Sequence, residues 1–181
     1  MRKLTMAELN RITVGQFRDR PKWPVVIVLD NIRSQQNTGS VFRTADAFRV
    51  ERICLCGITA TPPHREIHRA ALGATESVAW TYYPAAEAAV MALKSEGYRI
   101  IGLEQTDESI SLASYVPTNG TKLALVFGNE VSGLSEGVLP LLDDCLEIPQ
   151  FGTKHSFNVA VSAGIVLWDL FMKTNIIAGV T

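Results

Sequence analysis

Apolar runs and helical stripes alternate along the chain. Pro24 to Leu29 is an almost unbroken apolar run rich in β-branched residues, the pattern of a strand buried on both faces. Arg52 to Cys56, Ser77 to Tyr83, Tyr98 to Glu104, Lys122 to Phe127 and Cys145 to Ile148 read as further strands. Pro149 stops the last one because it brings no backbone donor. Between the strands lie helical segments. Thr5 and Glu8 have capping-box spacing, which predicts a short helix over Met6 to Ile12. A second helix starts near Asn37 or Thr38, with Val41, Ala45 and Phe48 on one face. Ala85 to Ser95 is alanine-rich and helical, and Gly137 to Leu142 is a shorter helix. Asp107 to Tyr115 reads as a connection with at most one helical turn. This alternation predicts an α/β domain with a mostly parallel sheet.

The last helix, running to Lys173, breaks the usual two-faced pattern. Phe157, Val161, Ile165, Trp168 and Met172 form one apolar face at helical spacing. Ala160, Ala163, Leu167 and Leu170 make the opposite side apolar as well. A helix apolar nearly all round is covered on both sides. The expectation is that the Phe157 to Met172 face covers the sheet and the Ala160 face meets a second copy of the chain. The small residues Ala160, Ser162, Ala163 and Gly164 suit a close helix–helix approach. Ser156 or Asn158 is placed to cap the first turn.

Three polar loops follow three strands, at 30–38, 128–136 and 149–157. In open α/β sheets such loops at strand carboxyl ends converge on the binding crevice. The second loop carries Gly128 and Gly133, which let a backbone approach a ligand closely, with Glu130 between them. The first carries Asn37 and, six residues on, Arg43. The usual nucleotide fingerprints, GxGxxG after the first strand and GxxxxGK[ST], do not occur.

Composition adds two points. Net charge is −1, which does not announce a polyanion partner. Residues 1–70, however, hold 12 Lys or Arg against 6 Asp or Glu, while residues 71–181 hold 5 against 12. That asymmetry predicts a local patch for an anionic partner. Cys54, Cys56 and Cys145 are odd in number and form no CxxC pair, so they read as reduced thiols in a reducing compartment such as the cytoplasm. No apolar leader is apparent at the N-terminus. The longest apolar run is broken by Asp169 and too short to span a membrane. His64 and His68 are four apart, but no Glu or Cys completes a metal site.

Taken in order, the three loops resemble the SpoU (TrmH) family of RNA ribose 2′-O-methyltransferases in the SPOUT superfamily. The resemblance rests on Asn37-x-Gly39 with Arg43, on Val126-Phe127-Gly128-Asn129-Glu130-x-x-Gly133, and on Ile148-Pro149-x-x-Gly152 followed by Ser156-Phe157-Asn158-Val-x-Val161. It covers about residues 25–172. Gln35-Gln36 replace the Pro-Gly that the family often has before Asn37. The resemblance implies one methyltransferase domain over 1–181 with a short N-terminal extension, 1–24. Helices would cover both faces of the sheet, and the C-terminal part would form a deep trefoil knot. It implies a homodimer, S-adenosylmethionine as cofactor, tRNA or rRNA as partner, and neither metal nor membrane. Arg43, Asn37, Glu130, Ser156 and Asn158 would be catalytic. Val126, Phe127, Gly128, Asn129, Gly133, Ile148, Pro149, Gly152, Ser156 and Phe157 would hold the cofactor. Arg18, Arg20, Arg33, Arg65, Arg69 and Lys154 are the candidates for RNA. The competing reading is a non-catalytic RNA-binding module on the same fold. Loss of Asn37, Arg43 or Ser156 would favour it, and all three are present. A different nucleotide-dependent α/β enzyme is a third reading, opposed by the absent fingerprints.

Overall fold

In the computed structural model, which describes residues 1–5 and 7–174, seven strands form one sheet. They are β1 (Trp23–Asp30), β2 (Val50–Cys56), β3 (Ala79–Tyr83), β4 (Arg99–Leu103), β5 (Ile110–Ser111), β6 (Leu123–Phe127) and β7 (Asp144–Glu147). The order across the sheet is β3-β2-β1-β6-β4-β7-β5, and every pairing is parallel. The helices are α1 (Val14–Asp19), α2 (Gln35–Ala47), α3 (Arg65–Ala71), α4 (Ala74–Ser77), α5 (Ala86–Ser95) and α6 (Val159–Lys173), with a 3₁₀ turn at Leu139–Leu141.

The continuous apolar strands divide their side chains between two cores. Val25, Ile27 and Leu29 of β1 point into one core with Val41 and Phe42 of α2 and Ala163, Val166, Leu167 and Leu170 of α6. Val26 and Val28 point into the other, against Ala89, Val90 and Leu93 of α5. A strand with no solvent face has no reason to alternate polar residues. Each fully buried aliphatic side chain contributes about 2 kcal/mol of transfer free energy, so the central strands carry much of the stability. α2 and α3 cross in near backbone contact at Gly39. A Cβ there would meet the Ile67 carbonyl oxygen at 2.5 Å and the Ala70 Cβ at 2.7 Å.

Four local expectations change. Thr5 and Glu8 do exchange capping hydrogen bonds, with Thr5 N–H donating to Glu8 Oε2 at 2.8 Å. They close only a turn, and the expected first residue, Met6, lies outside the described residues. The first helix is α1, where Thr13 and Gln16 make the capping box and Phe17 is buried to anchor it. His64 and His68, read only for their spacing, fall at the N-cap and inside a further helix, α3, which Ile67 and Ala71 give a buried stripe. The 107–115 connection supplies β5, which pairs with β7.

The largest correction concerns α6. Its inner face is the set assigned to a partner: Ala163, Leu167 and Leu170 are buried, with Val159 and Val166 beside them. Its outer face is the set assigned to the sheet: Phe157, Val161, Trp168 and Met172 are 41 to 57 % exposed. Ala160 is half-buried and packs against the core rather than facing outward. Both faces are apolar, so hydropathy alone does not choose between them. Shape chooses: small Ala163 and compact Leu and Val side chains fit against α2 and the sheet. An aromatic cluster fixes the far end, with Phe171 against Trp23 and Phe48 at ring separations of 5.4 Å each.

Candidate active site

The three polar loops meet at the carboxyl edge of the sheet, and side-chain amides and carboxylates join them. β1 ends in Asp30, fully buried, which accepts from Ser135 N–H (2.7 Å), Ser135 Oγ–H (2.9 Å) and the Asn31 amide (2.8 Å). Asn31 has φ 55°, a left-handed conformation that Asn tolerates better than most residues. Its carbonyl accepts from the Asn129 amide at 2.6 Å, while Asn129 Oδ1 accepts from Val131 and Ser132 N–H. A buried carboxylate and two asparagines thus clamp the glycine turn to the end of β1.

Glu130 lies across the start of α2. Its carboxylate accepts from Arg33 N–H (3.0 Å), Ser34 N–H (3.1 Å) and the Asn37 side-chain amide (3.0 Å). Partial burial alone would raise its pKa. The bonds from Arg33, its own N–H, Asn37 and Ser34 outweigh that and hold it below the ordinary carboxylate value. The start of a helix favours such a charge. Asn37 Oδ1 then accepts from the Asn158 amide at 3.1 Å, and Asn158 Oδ1 caps α6 through Ala160 and Val161 N–H. Asn158, not Ser156, is therefore the cap, and Glu130–Asn37–Asn158 is a continuous polar chain from three separate stretches.

Beside this chain a cleft of about 400 Å³ opens between the ends of β4, β6 and β7 and the start of α6. Phe127, Gly128, Asn129, Gly133, Ile148, Ser156 and Phe157 line it, as does Glu130. Val126 points to the opposite core, and Pro149 and Gly152 are not among the lining residues. A Cβ on Gly128 would run into the Gly133 backbone, and one on Gly133, at φ +70°, would run into the Glu104 carboxylate. A Cβ at Gly152 would meet nothing within 4 Å, so that glycine makes no close approach within this chain. Glu104, Gln105, Glu147, Gln150 and His155 also line the cleft and were not singled out from the sequence. Glu104 follows the last residue of β4, so the carboxyl-edge rule could have found it. The cleft presents three carboxylates and no Lys or Arg.

The cations lie outside it. Arg43 is exposed on α2, with no hydrogen bond or ion pair among the described residues. Arg33 and Lys154 are exposed beside the cleft, on the first and third loops. Arg65 and Arg69 of α3 flank Glu66 at 4.0 and 3.9 Å with their side chains largely in solvent. Arg18 donates two bonds to the Glu76 carbonyl, and Arg20 is exposed after α1. His64 caps α3 by accepting from Glu66 N–H at 3.3 Å. Among the described residues no group of three or more His, Cys, Asp or Glu could hold a metal, and no helix is long and apolar enough to cross a membrane.

A parallel α/β sheet with a glycine-lined cleft at its carboxyl edge defines a domain for a small cofactor. Residues 24–168 match the SpoU rRNA Methylase family, and the chain belongs to it. It is 30 % identical over 149 residues to a tRNA (guanosine(18)-2′-O)-methyltransferase of Borreliella burgdorferi, covering 82 % of this chain and 66 % of that protein. It is 33 % identical over 144 residues to the 23S rRNA (guanosine-2′-O-)-methyltransferase RlmB of Neisseria meningitidis serogroup B, covering 80 % and 56 %. The AdoMet-bound rRNA methyltransferase of Sinorhizobium meliloti superposes with a TM-score of 0.75 at 26 % identity, covering 84 % of this chain and 58 % of that one. The chain thus spans somewhat under two thirds of the length of these proteins.

Proposed function

We propose that this chain transfers a methyl group from S-adenosylmethionine to a ribose 2′-hydroxyl of tRNA or rRNA. The observation that carries the reading is the Glu130–Asn37–Asn158 chain, which unites the three family stretches beside one cleft. The cleft also fits the cofactor. Its size is within the range of small-molecule sites, the missing side chains at Gly128 and Gly133 bring backbone close, and its carboxylates suit a ligand of net positive charge. The named relatives act on tRNA and rRNA ribose, which supports the same substrate class.

When bound beside Gly128 and Gly133, S-adenosylmethionine would supply a sulfonium-activated methyl group for a ribose oxygen. The residues of this chain must then hold that oxygen in place and assist loss of the proton. Asn37 is fixed between Glu130 and Asn158 and so presents a defined edge to the ribose. Ser156, exposed at the rim, adds a hydroxyl there. Arg43 acts on the RNA side. A guanidinium presents a fixed fork of donors that matches phosphate oxygens, so its first role is to pair with the phosphate next to the target ribose. Arg33, Arg65, Arg69 and Lys154 extend the phosphate track, with Arg20 and Arg18 further along.

The same reading includes a homodimer and the C-terminal knot. The dimer is placed on the outer face of α6, where Phe157, Val161, Trp168 and Met172 leave a continuous apolar stripe in solvent. The test of function is direct. The chain is incubated with labelled S-adenosylmethionine and bulk tRNA or rRNA, and the RNA is then hydrolysed in alkali. Label in alkali-resistant dinucleotides is expected, because a 2′-O-methyl group blocks cleavage of the next phosphodiester. Label released in mononucleotides, or no label although the cofactor binds, would refute it.

A further inference from the structure

We propose that Glu104 is the cofactor-specificity residue of the cleft, accepting hydrogen bonds from the ribose hydroxyls of the adenosyl group. The inference rests on the proposed use of S-adenosylmethionine. Glu104 follows β4, and its carboxylate folds under the glycine turn. Oε1 accepts from Gln105 N–H at 3.0 Å and Oε2 accepts from Leu134 N–H at 3.2 Å. Oε2 also occupies the space that a side chain on Gly133 would need. The carboxylate is therefore held in one orientation by two backbone donors, at the wall of the cleft. Each carboxylate oxygen has a second acceptor position, and a fixed acid of this kind pairs with hydroxyl donors on a ligand.

The rest of the lining decides which donors those are. Glu130 and Asn158 are already joined through Asn37 to each other and to the starts of α2 and α6, which suits the reacting groups. Leu103, Leu146 and Ile148 also line the cleft and give an apolar wall for a planar base. Glu104 is the next residue after Leu103, so the group it meets is the sugar joined to that base. Acid-to-ribose pairing at the carboxyl edge of a parallel sheet is recurrent chemistry in nucleotide sites. Pairing with the α-ammonium group of the amino-acid end is the competing arrangement.

Calorimetry on the full chain separates these arrangements, with S-adenosylhomocysteine, its 2′-deoxy and 3′-deoxy counterparts and 5′-methylthioadenosine as probes. Glu104→Gln and Glu104→Ala are both needed. The Gln amide puts a donor against one of the two backbone N–H groups, whereas Ala does not. With thermal unfolding showing both variants folded, each is expected to bind S-adenosylhomocysteine and 5′-methylthioadenosine about 10- to 100-fold more weakly, the range for hydrogen bonds to a charged group. At least one deoxy counterpart is expected to bind wild type and variants within about twofold, because the partner hydroxyl is already gone. Equal loss for the parent ligand and both deoxy counterparts would mean that Glu104 only props the turn, and the proposal fails. Loss for S-adenosylhomocysteine alone, with 5′-methylthioadenosine unchanged, would place the carboxylate at the ammonium and also overturn it. Wild-type chain that binds none of the probes would remove the methyltransferase reading itself, a distinct result from the other two.

Discussion

The cleft at the carboxyl edge of the sheet and the outer slope of α2 and α3 differ in charge. In the cleft the carboxylate of Glu104 is held by backbone donors, that of Glu130 by backbone and amide donors, and no Lys or Arg is present. On the slope Arg43, Arg65 and Arg69 are exposed, unpaired or only loosely paired. A rigid acidic cleft suits a small cation whose position must be fixed. An exposed basic slope suits a long polyanion, whose binding comes from many weak phosphate contacts and counterion release. The net charge of −1 is thus a sum over two regions whose opposite charges are kept apart in space rather than averaged.

The sharpest way to break this division is Arg43→Ala. Methyl transfer is expected to fall about 100-fold or more, the range for removing a group that acts in the transition state, with cofactor affinity within twofold in calorimetry. Weakened cofactor binding in this variant would join the two regions that the comparison separates. Next in size is Val161→Glu on the outer face of α6, half-exposed in one chain. An unpaired charge in an apolar contact is costly, so the variant is expected to sediment as a monomer with activity reduced at least about tenfold. A dimeric, fully active variant would move the contact elsewhere. Ala160→Glu is the poorer probe, because Ala160 packs on the core and its replacement also strains the fold.

Glu130→Ala tests the joint between the regions. It removes the acceptor for Arg33 N–H, Ser34 N–H and the Asn37 amide beside the start of α2, and losing hydrogen bonds of this kind costs about 1 kcal/mol. A lowered melting temperature with a larger loss of activity is expected, whereas unchanged stability would show that the joint carries nothing. The sign of its titration follows. The folded pKa is depressed, so the stabilisation is fully present above the ordinary carboxylate value of 4.5 and is lost as pH falls through the lower folded value. Stability between about pH 6 and 9 is therefore expected to be flat with respect to Glu130, and Glu130→Ala should track wild type in that window apart from a constant offset. The smallest effect belongs to Arg65→Ala and Arg69→Ala. Each is expected to reduce the slope of log affinity for RNA against log salt by about 1, measured by filter binding. Salt-independent RNA affinity in the wild type would refute the basic slope altogether.

The amino-acid sequence by itself determined the layers, the parallel sheet and the three site stretches. Continuous apolar runs such as 24–29 have only one use in a domain of this size, and Asn37, Glu130 and Asn158 stand at recognisable offsets after strands. It also carried the family, through motif order rather than through composition. It did not determine which face of α6 turns inward. Both faces satisfy the hydrophobic effect, which is non-directional, and only the fit of Ala163, Leu167 and Leu170 against α2 and β1 selects one. It did not reveal why Gly39 is there, because the neighbour that requires it, the Ile67 backbone, is 28 residues away in α3. Glu104 stands just past the carboxyl end of a strand, where the sequence could flag it, but its partners were not legible. Its chemistry depends on Gln105 and Leu134 N–H and on the missing side chain of Gly133, and only tertiary packing brings those to one carboxylate. Periodicity reports what a residue turns its back on; contacts between distant segments decide what it faces.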